Sequence, residues 1–345
     1  LEERSVTRCI TVEEAFVTAE IAAAWKPVLH GGDCEPGFKA MGSSILAETP
    51  ANALLHSRLL DIGQGRIDHM DSIGVDMQIL SLTSPGVQVF KPTLATALAR
   101  DSNDALAAAI RAFPQRLAGL GAVAPQDPEA AAKEIGRFKS LGLCGVIINS
   151  HTFGEYLDLP KFAPLLEALE AEQLPLYLHP REPSPAMVGP YLDYGLYFAG
   201  WGFAAETSLH AMRLIMSGAF ERFPRLKIIL GHMGEGIPFW LQRIDNRYLL
   251  QVKIGAVEKL PLLPSEYFLN NFYITTAGVT SMPALRLSLE MLGAERIMFA
   301  ADYPYEDDAA ALAFLKSATL SDDERRLISH ENAERIFGLP SRGCV

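Results

Sequence analysis

Four side chains that can bind metal or move protons stand where short apolar runs of this sequence give out. Glu13 follows Cys9-Ile10-Thr11-Val12, and His179 follows Pro175-Leu176-Tyr177-Leu178. His232 comes after Lys227-Ile228-Ile229-Leu230-Gly231, and Asp302 after Arg296-Ile297-Met298-Phe299-Ala300-Ala301. Two carboxylates and an imidazole form an oxygen and nitrogen donor set for a divalent cation such as Zn2+ or Mn2+, with positions left open for substrate or water. An imidazole or carboxylate beside that set can carry a proton. His151 also follows an apolar run and is a secondary candidate. His56, His69 and His210 fall on predicted helices and His330 near the chain end, where core or surface roles are the simpler reading.

A shared site requires these four positions to converge. The runs before them are short, aliphatic and β-branched, as in parallel strands buried on both faces. Further runs of this kind occur at 77–82, 117–123, 145–149 and 272–276, and helical patterns alternate with all eight. That alternation predicts a parallel α/β sheet, and eight units predict closure into a (β/α)8 TIM barrel, whose carboxyl-terminal strand ends meet on one face. No strand is followed by a GxGxxG phosphate loop, which argues against an open dinucleotide-binding sheet. Without a linker, residues 1–345 are expected to form a single domain, with insertions after strands 1 and 5. The first, residues 28–50, is rich in Gly, Pro and small residues and is predicted to be an irregular lid. The second is Glu182–Gly202. Helices are predicted at 52–73, 128–141 and 322–337, among others.

The chain has 345 residues, 49% of them hydrophobic, enough for a large core. Its formal net charge is −11 and no basic cluster is present, so nucleic acid is not an expected partner. Cys9, Cys34, Cys144 and Cys344 lack metal spacing and suit a reducing compartment. No apolar run is long enough to span a membrane, and Leu1–Arg8 lacks the apolar core of a signal peptide. A soluble, cytoplasmic protein is expected.

At Glu13-Glu14-Ala15-Phe16, Tyr177-Leu178-His179-Pro180, Gly231-His232-Met233-Gly234-Glu235 and Asp302-Tyr303-Pro304-Tyr305-Glu306 the chain resembles the amidohydrolase superfamily. More narrowly, it is similar to the branch of metal-dependent, non-oxidative decarboxylases related to aminocarboxymuconate semialdehyde decarboxylase, which includes γ-resorcylate, 2,3-dihydroxybenzoate and 5-carboxyvanillate decarboxylases. The stretches Leu82–Gln88 and Val123–Pro128 most resemble the 5-carboxyvanillate enzymes. The resemblance implies metal ligation by Glu13, His179 and Asp302. It implies a catalytic or orienting role for His232, supported by Glu235, and substrate contacts from Arg243 and Thr83. One divalent ion per chain is implied, Mn2+ or Zn2+ with Mg2+ a further candidate, because residues 145–149 hold no lysine to bridge a second metal. The His-x-His of many superfamily members is absent from the first strand. The arginine that 5-carboxyvanillate relatives carry before Arg58-Leu59-Leu60-Asp61 is also absent.

The activity so implied is decarboxylation of an ortho-hydroxylated aromatic carboxylic acid with release of CO2, a carbon–carbon lyase reaction. Asp302 is the first choice of proton donor to the ring carbon, and His232 the second. A metal-dependent hydrolase of an ester, amide or lactone is the alternative. The expected partners are a small aromatic acid and further copies of the chain in a dimer or tetramer.

Overall fold

The computed structural model describes residues 8–341. Residues 1–7, which carry most of the charged start, and Cys344 lie outside the described residues. Each apolar run forms a strand. They are β1 (Ile10–Phe16), β2 (Met77–Leu82), β3 (Leu117–Ala122), β4 (Gly145–Asn149), β5 (Leu176–His179), β6 (Ile228–Leu230), β7 (Phe272–Thr275) and β8 (Ile297–Met298). All ladders are parallel and follow chain order from β1 to β8, as in a TIM barrel. Helices cover the outside and side chains fill the lumen, so the strands are buried on both faces: every residue of β6 is 0% exposed. No helix among the described residues is long and apolar enough to cross a membrane.

The barrel is nearly closed. Among the described residues no strand ladder joins β8 to β1. A side chain bridges the gap instead: the Glu14 carboxylate accepts the N–H groups of Ala301 and Tyr303, each at 3.1 Å. The Ala15 N–H completes the seam by donating to the Tyr303 carbonyl at 2.7 Å. Glu14 thus satisfies backbone donors that a neighbouring strand would otherwise take. Burial raises its pKa to about 7, opposed chiefly by the Ala301 N–H.

Four expectations need correction. Residues 28–50 are largely helical rather than irregular: α1 (Ala19–Leu29) and α2 (Pro36–Ile45) precede α3 (Pro50–Leu60) and α4 (Gln64–Ile73). The glycines of α2 mark close packing: a Cβ at Gly37 would meet Glu182 Cγ at 2.3 Å, and one at Gly42 would meet Leu29 Cδ1 at 2.9 Å. The predicted 52–73 helix is two helices, broken between Asp61 and Gly63, where the Asp61 carboxylate accepts the Gly63 N–H at 2.9 Å. The predicted 128–141 helix breaks at Gly136 into α6 (Pro128–Ile135) and a single turn, Phe138–Leu141, with α5 (Pro92–Ala112) preceding β3.

The last helix is the fourth case. It divides into Asp322–Arg326, a π turn at Leu327–Glu331, and Asn332–Phe337. In the π turn the Ile328 carbonyl accepts the Phe299 N–H at 2.8 Å. β8 ends at Met298 rather than Ala300 because the Ala300 N–H and carbonyl both bond the Thr276 hydroxyl, at 3.1 Å each, in place of β7 backbone groups. The Glu182–Gly202 insertion is irregular as expected, with single 3-10 turns at Gly189–Tyr191 and Asp193–Gly195.

Candidate active site

Glu13 lies inside β1, not at its end. Between Thr11 and Glu14 the strand carries one residue more than β2 opposite, a bulge of the kind that re-aims side chains. Glu13 is 2% exposed, and its Oε2 accepts hydrogen bonds from the hydroxyls of Tyr177 and Thr275, the latter at 2.9 Å. Its Oε1 is buried with no hydrogen-bond partner. Facing it are His179 Nε2 at 3.5 Å and His232 Nε2 at 3.8 Å. Gly231 leaves space for this carboxylate, since a Cβ there would come within 2.8 Å of Glu13 Oε1. Burial, reinforced by Asp302, drives the Glu13 pKa upward against the opposing pull of His232.

His179 closes β5. Its Nδ1 lies 2.7 Å from the Pro180 carbonyl, which assigns the proton to Nδ1 and leaves the Nε2 lone pair facing Glu13. Burial lowers its pKa to about 4, so the imidazole is neutral at pH 7.

His232 opens the turn after β6, where φ is positive at His232, Met233, Gly234 and Glu235. Such backbone is costly and concentrates at functional sites. Nδ1 is 2.8 Å from Glu235 Oε1, and Nε2 is 3.7 Å from Asp302 Oδ2. Burial alone opposes the imidazolium, yet Glu235, Glu13 and Asp302 together hold the pKa well above the ordinary histidine value. Asp302, four residues beyond β8, also has a positive φ, of 61°, and its carbonyl accepts the Tyr305 and Glu306 N–H groups.

These four groups border one space. Among the described residues no group of three or more His, Cys, Asp or Glu side chains is already placed to hold a metal ion. The unpartnered Glu13 Oε1 beside a neutral imidazole nevertheless has the chemistry of a cation site. A buried carboxylate oxygen without a partner is unfavourable, and a cation in that place would satisfy it.

The space opens into a cavity of about 950 Å3 lined by His232, Asp302 and Arg243, with Trp201, Phe239 and Glu306 around it. That volume suits a small organic ligand. Arg243, on the helix Ile237–Lys253, is solvent-exposed at this cavity. Thr83 lies outside its lining: Thr83 Oγ1 is 2.7 Å from the Tyr305 hydroxyl. His151 is a satisfied loop residue, with Nε2 3.1 Å from the Glu182 carbonyl and Nδ1 accepting the Gly154 N–H at 3.2 Å.

Tyr177, Thr275 and Glu306 belong to the site but were not singled out from sequence. Tyr177 could have been found, because it lies two residues before His179 and so faces the same side of β5. Thr275 is a polar residue in an otherwise apolar strand, a weaker signal.

Fold and site together define the class. A family model described as amidohydrolase (Amidohydro_2) matches residues 55–339, and the chain belongs to that family. Within it the chain is similar to γ-resorcylate decarboxylase of Polaromonas sp. (39% identity over 297 residues, 83% of this chain and 90% of that protein). It is also similar to the crystal structure of 5-carboxyvanillate decarboxylase from Sphingomonas paucimobilis, with a TM-score of 0.93 and 46% identity over 97% of this chain and 100% of that one. The 5-carboxyvanillate decarboxylase of Novosphingobium aromaticivorans, solved with manganese and 4-hydroxy-3-methoxy-5-nitrobenzoic acid, matches with a TM-score of 0.94 and 38% identity over 97% of each chain.

Proposed function

We propose that this chain is a carboxy-lyase, a metal-dependent decarboxylase of ortho-hydroxylated aromatic acids built on one barrel domain. The observation that carries the reading is the unpartnered Glu13 Oε1, flanked by two imidazoles, one of which, His232, lines a cavity that also holds Asp302 and Arg243. Manganese in a relative of the same fold supports a single divalent cation here, held by Glu13, His179 and Asp302. When bound, that ion supplies Lewis acidity that offsets negative charge on the substrate's oxygens.

The chain's own residues do the rest. Tyr177 and Thr275 hold Oε2 of Glu13, which aims Oε1 at the site. Glu235 holds the His232 ring by its Nδ1, so its Nε2 faces Glu13 and Asp302. His232 keeps positive charge next to the cavity and can return a proton to Asp302. Asp302 delivers that proton to the ring carbon bearing the carboxylate. The new C–H bond is made from a ring π pair; when the carbon–carbon bond then breaks, CO2 leaves and its bonding pair restores the aromatic ring, so no redox cofactor is consumed. Arg243 is proposed to meet the substrate's anionic oxygens as the acid enters.

The free thiols Cys9, Cys34 and Cys144 support a reducing, cytoplasmic setting. Exposed Trp201, Phe239 and Trp240 at the cavity support a homo-oligomer, a dimer or tetramer.

The test is a panel of ortho-hydroxybenzoates in D2O with manganese-loaded protein. CO2 should be released and deuterium should appear at the vacated ring position. No CO2 from the panel, with ester or lactone turnover incorporating oxygen from H2(18)O, would overturn the assignment in favour of a hydrolase.

A further inference from the structure

A second groove lies along one face of α1. Its inner part, about 590 Å3, is bordered by Ala19, Ala22, Ala23 and Lys26, and its outer part, about 540 Å3, by Lys26, Leu29 and His30. The spacing of these residues is that of a single helix face. Alanines on the inner turns leave room that larger side chains would fill. From Ala19 to Lys26 the helix advances about 10 Å.

The two ends differ chemically. At the inner end the polar atoms already have partners: Trp25 Nε1 donates to the Gly86 carbonyl at 2.9 Å, and the Tyr305 hydroxyl is 2.7 Å from Thr83 Oγ1. His56 Nε2 lies 2.8 Å from the Ile45 carbonyl. Apart from Lys26 and Glu48, which border both parts of the groove, what remains is mainly apolar surface. At the outer end two exposed lysines, Lys26 and Lys39, together with His30, face one carboxylate, Glu48.

From this juxtaposition we propose that the groove binds a small amphipathic carboxylate, with its alkyl or aryl body against the α1 alanines and its anionic head at Lys26 and Lys39. A trough that is mainly apolar at one end and cationic at the other matches both parts of such a molecule. Its lining shares no residue with that of the decarboxylation cavity, the nearest in sequence being Tyr305 in the groove and Glu306 in the cavity.

Titration calorimetry of the manganese-loaded full chain with sodium octanoate tests it, with octan-1-ol as the uncharged probe. Wild type should bind octanoate at one site per chain and prefer it to octanol. Lys26→Glu should weaken octanoate by about tenfold or more, the scale of a lost charged hydrogen bond. Ala23→Phe, which fills the trough from an exposed position, should abolish binding, whereas Arg243→Gln should leave it unchanged. If Ala23→Phe does not fold, loss of the octanoate preference in Lys26→Glu decides the matter. Three results overturn the proposal: no octanoate binding to wild type, binding lost in Arg243→Gln but kept in Ala23→Phe, or a change in sedimentation with Ala23→Phe showing that a second copy covers the groove.

Discussion

Replacing Tyr177 with phenylalanine should weaken divalent-metal binding while leaving the barrel folded. The Tyr177 hydroxyl donates to Glu13 Oε2, and Thr275 Oγ1 donates to the same oxygen at 2.9 Å. A hydrogen bond to a charged group contributes about 1.5–3 kcal/mol, or roughly 10- to 150-fold in an equilibrium constant. Because Thr275 remains in Tyr177→Phe, Oε2 keeps one donor, and the expected loss is about tenfold, the lower end of what removing a ligand's supporting partner costs. Tyr177→Phe with Thr275→Val strands that oxygen, and the pair should lose more than the sum of the single changes. Competition against a chromogenic chelator measures the affinity, with circular dichroism as the check on folding. Manganese affinity indistinguishable from wild type in the double variant, with the fold intact, would show that Glu13 does not bind the metal in the orientation these hydroxyls impose.

His232→Asn should retain manganese but lose at least about two orders of magnitude in turnover, as for removal of a proton-transfer group; metal loss on elemental analysis would place His232 among the ligands instead. Glu14→Gln should destabilise the chain by about 1.5–3 kcal/mol, because an amide presents one acceptor where two N–H groups need one each. An unchanged urea midpoint would remove Glu14 from the barrel seam. Burial, with Arg213 adding to it, lowers the pKa of His210 from 6.5 to about 3. The unfolded chain therefore binds this proton before the folded chain does, and stability should fall as pH drops from 6.5 toward 3. The slope is at most about 1.4 kcal/mol per pH unit for each such histidine. His210→Gln should flatten that slope in urea melts followed across pH, and an unaltered slope would refute the assignment.

The sequence alone made the barrel legible and placed His179, His232 and Asp302 as candidate groups at its mouth. Eight apolar runs separated by helical patterns admit few topologies, and a polar residue just past such a run must lie at one end of the sheet. His179, His232 and Asp302 were legible for that reason. Glu13 was legible as a residue but not in its setting, because a bulge inside β1 has no sequence signature. Local pattern also misread α2, whose glycines looked like loop formers. They are there because Glu182 and Leu29 come too close for a Cβ, and closeness of that kind exists only after the chain has folded.

What orients the candidate groups is visible only in the folded molecule. Tyr177 and Thr275 are 164 and 262 residues from Glu13, and only the folded barrel brings their hydroxyls onto one oxygen of its carboxylate. Glu14, the neighbour of a candidate ligand, faces the opposite way and takes two N–H groups of the chain after β8, a bond that spans nearly the whole sequence. Strand identity follows from side chains near one another in the chain. Hydrogen-bond partners across a closed sheet depend on register and curvature, which the entire molecule sets together.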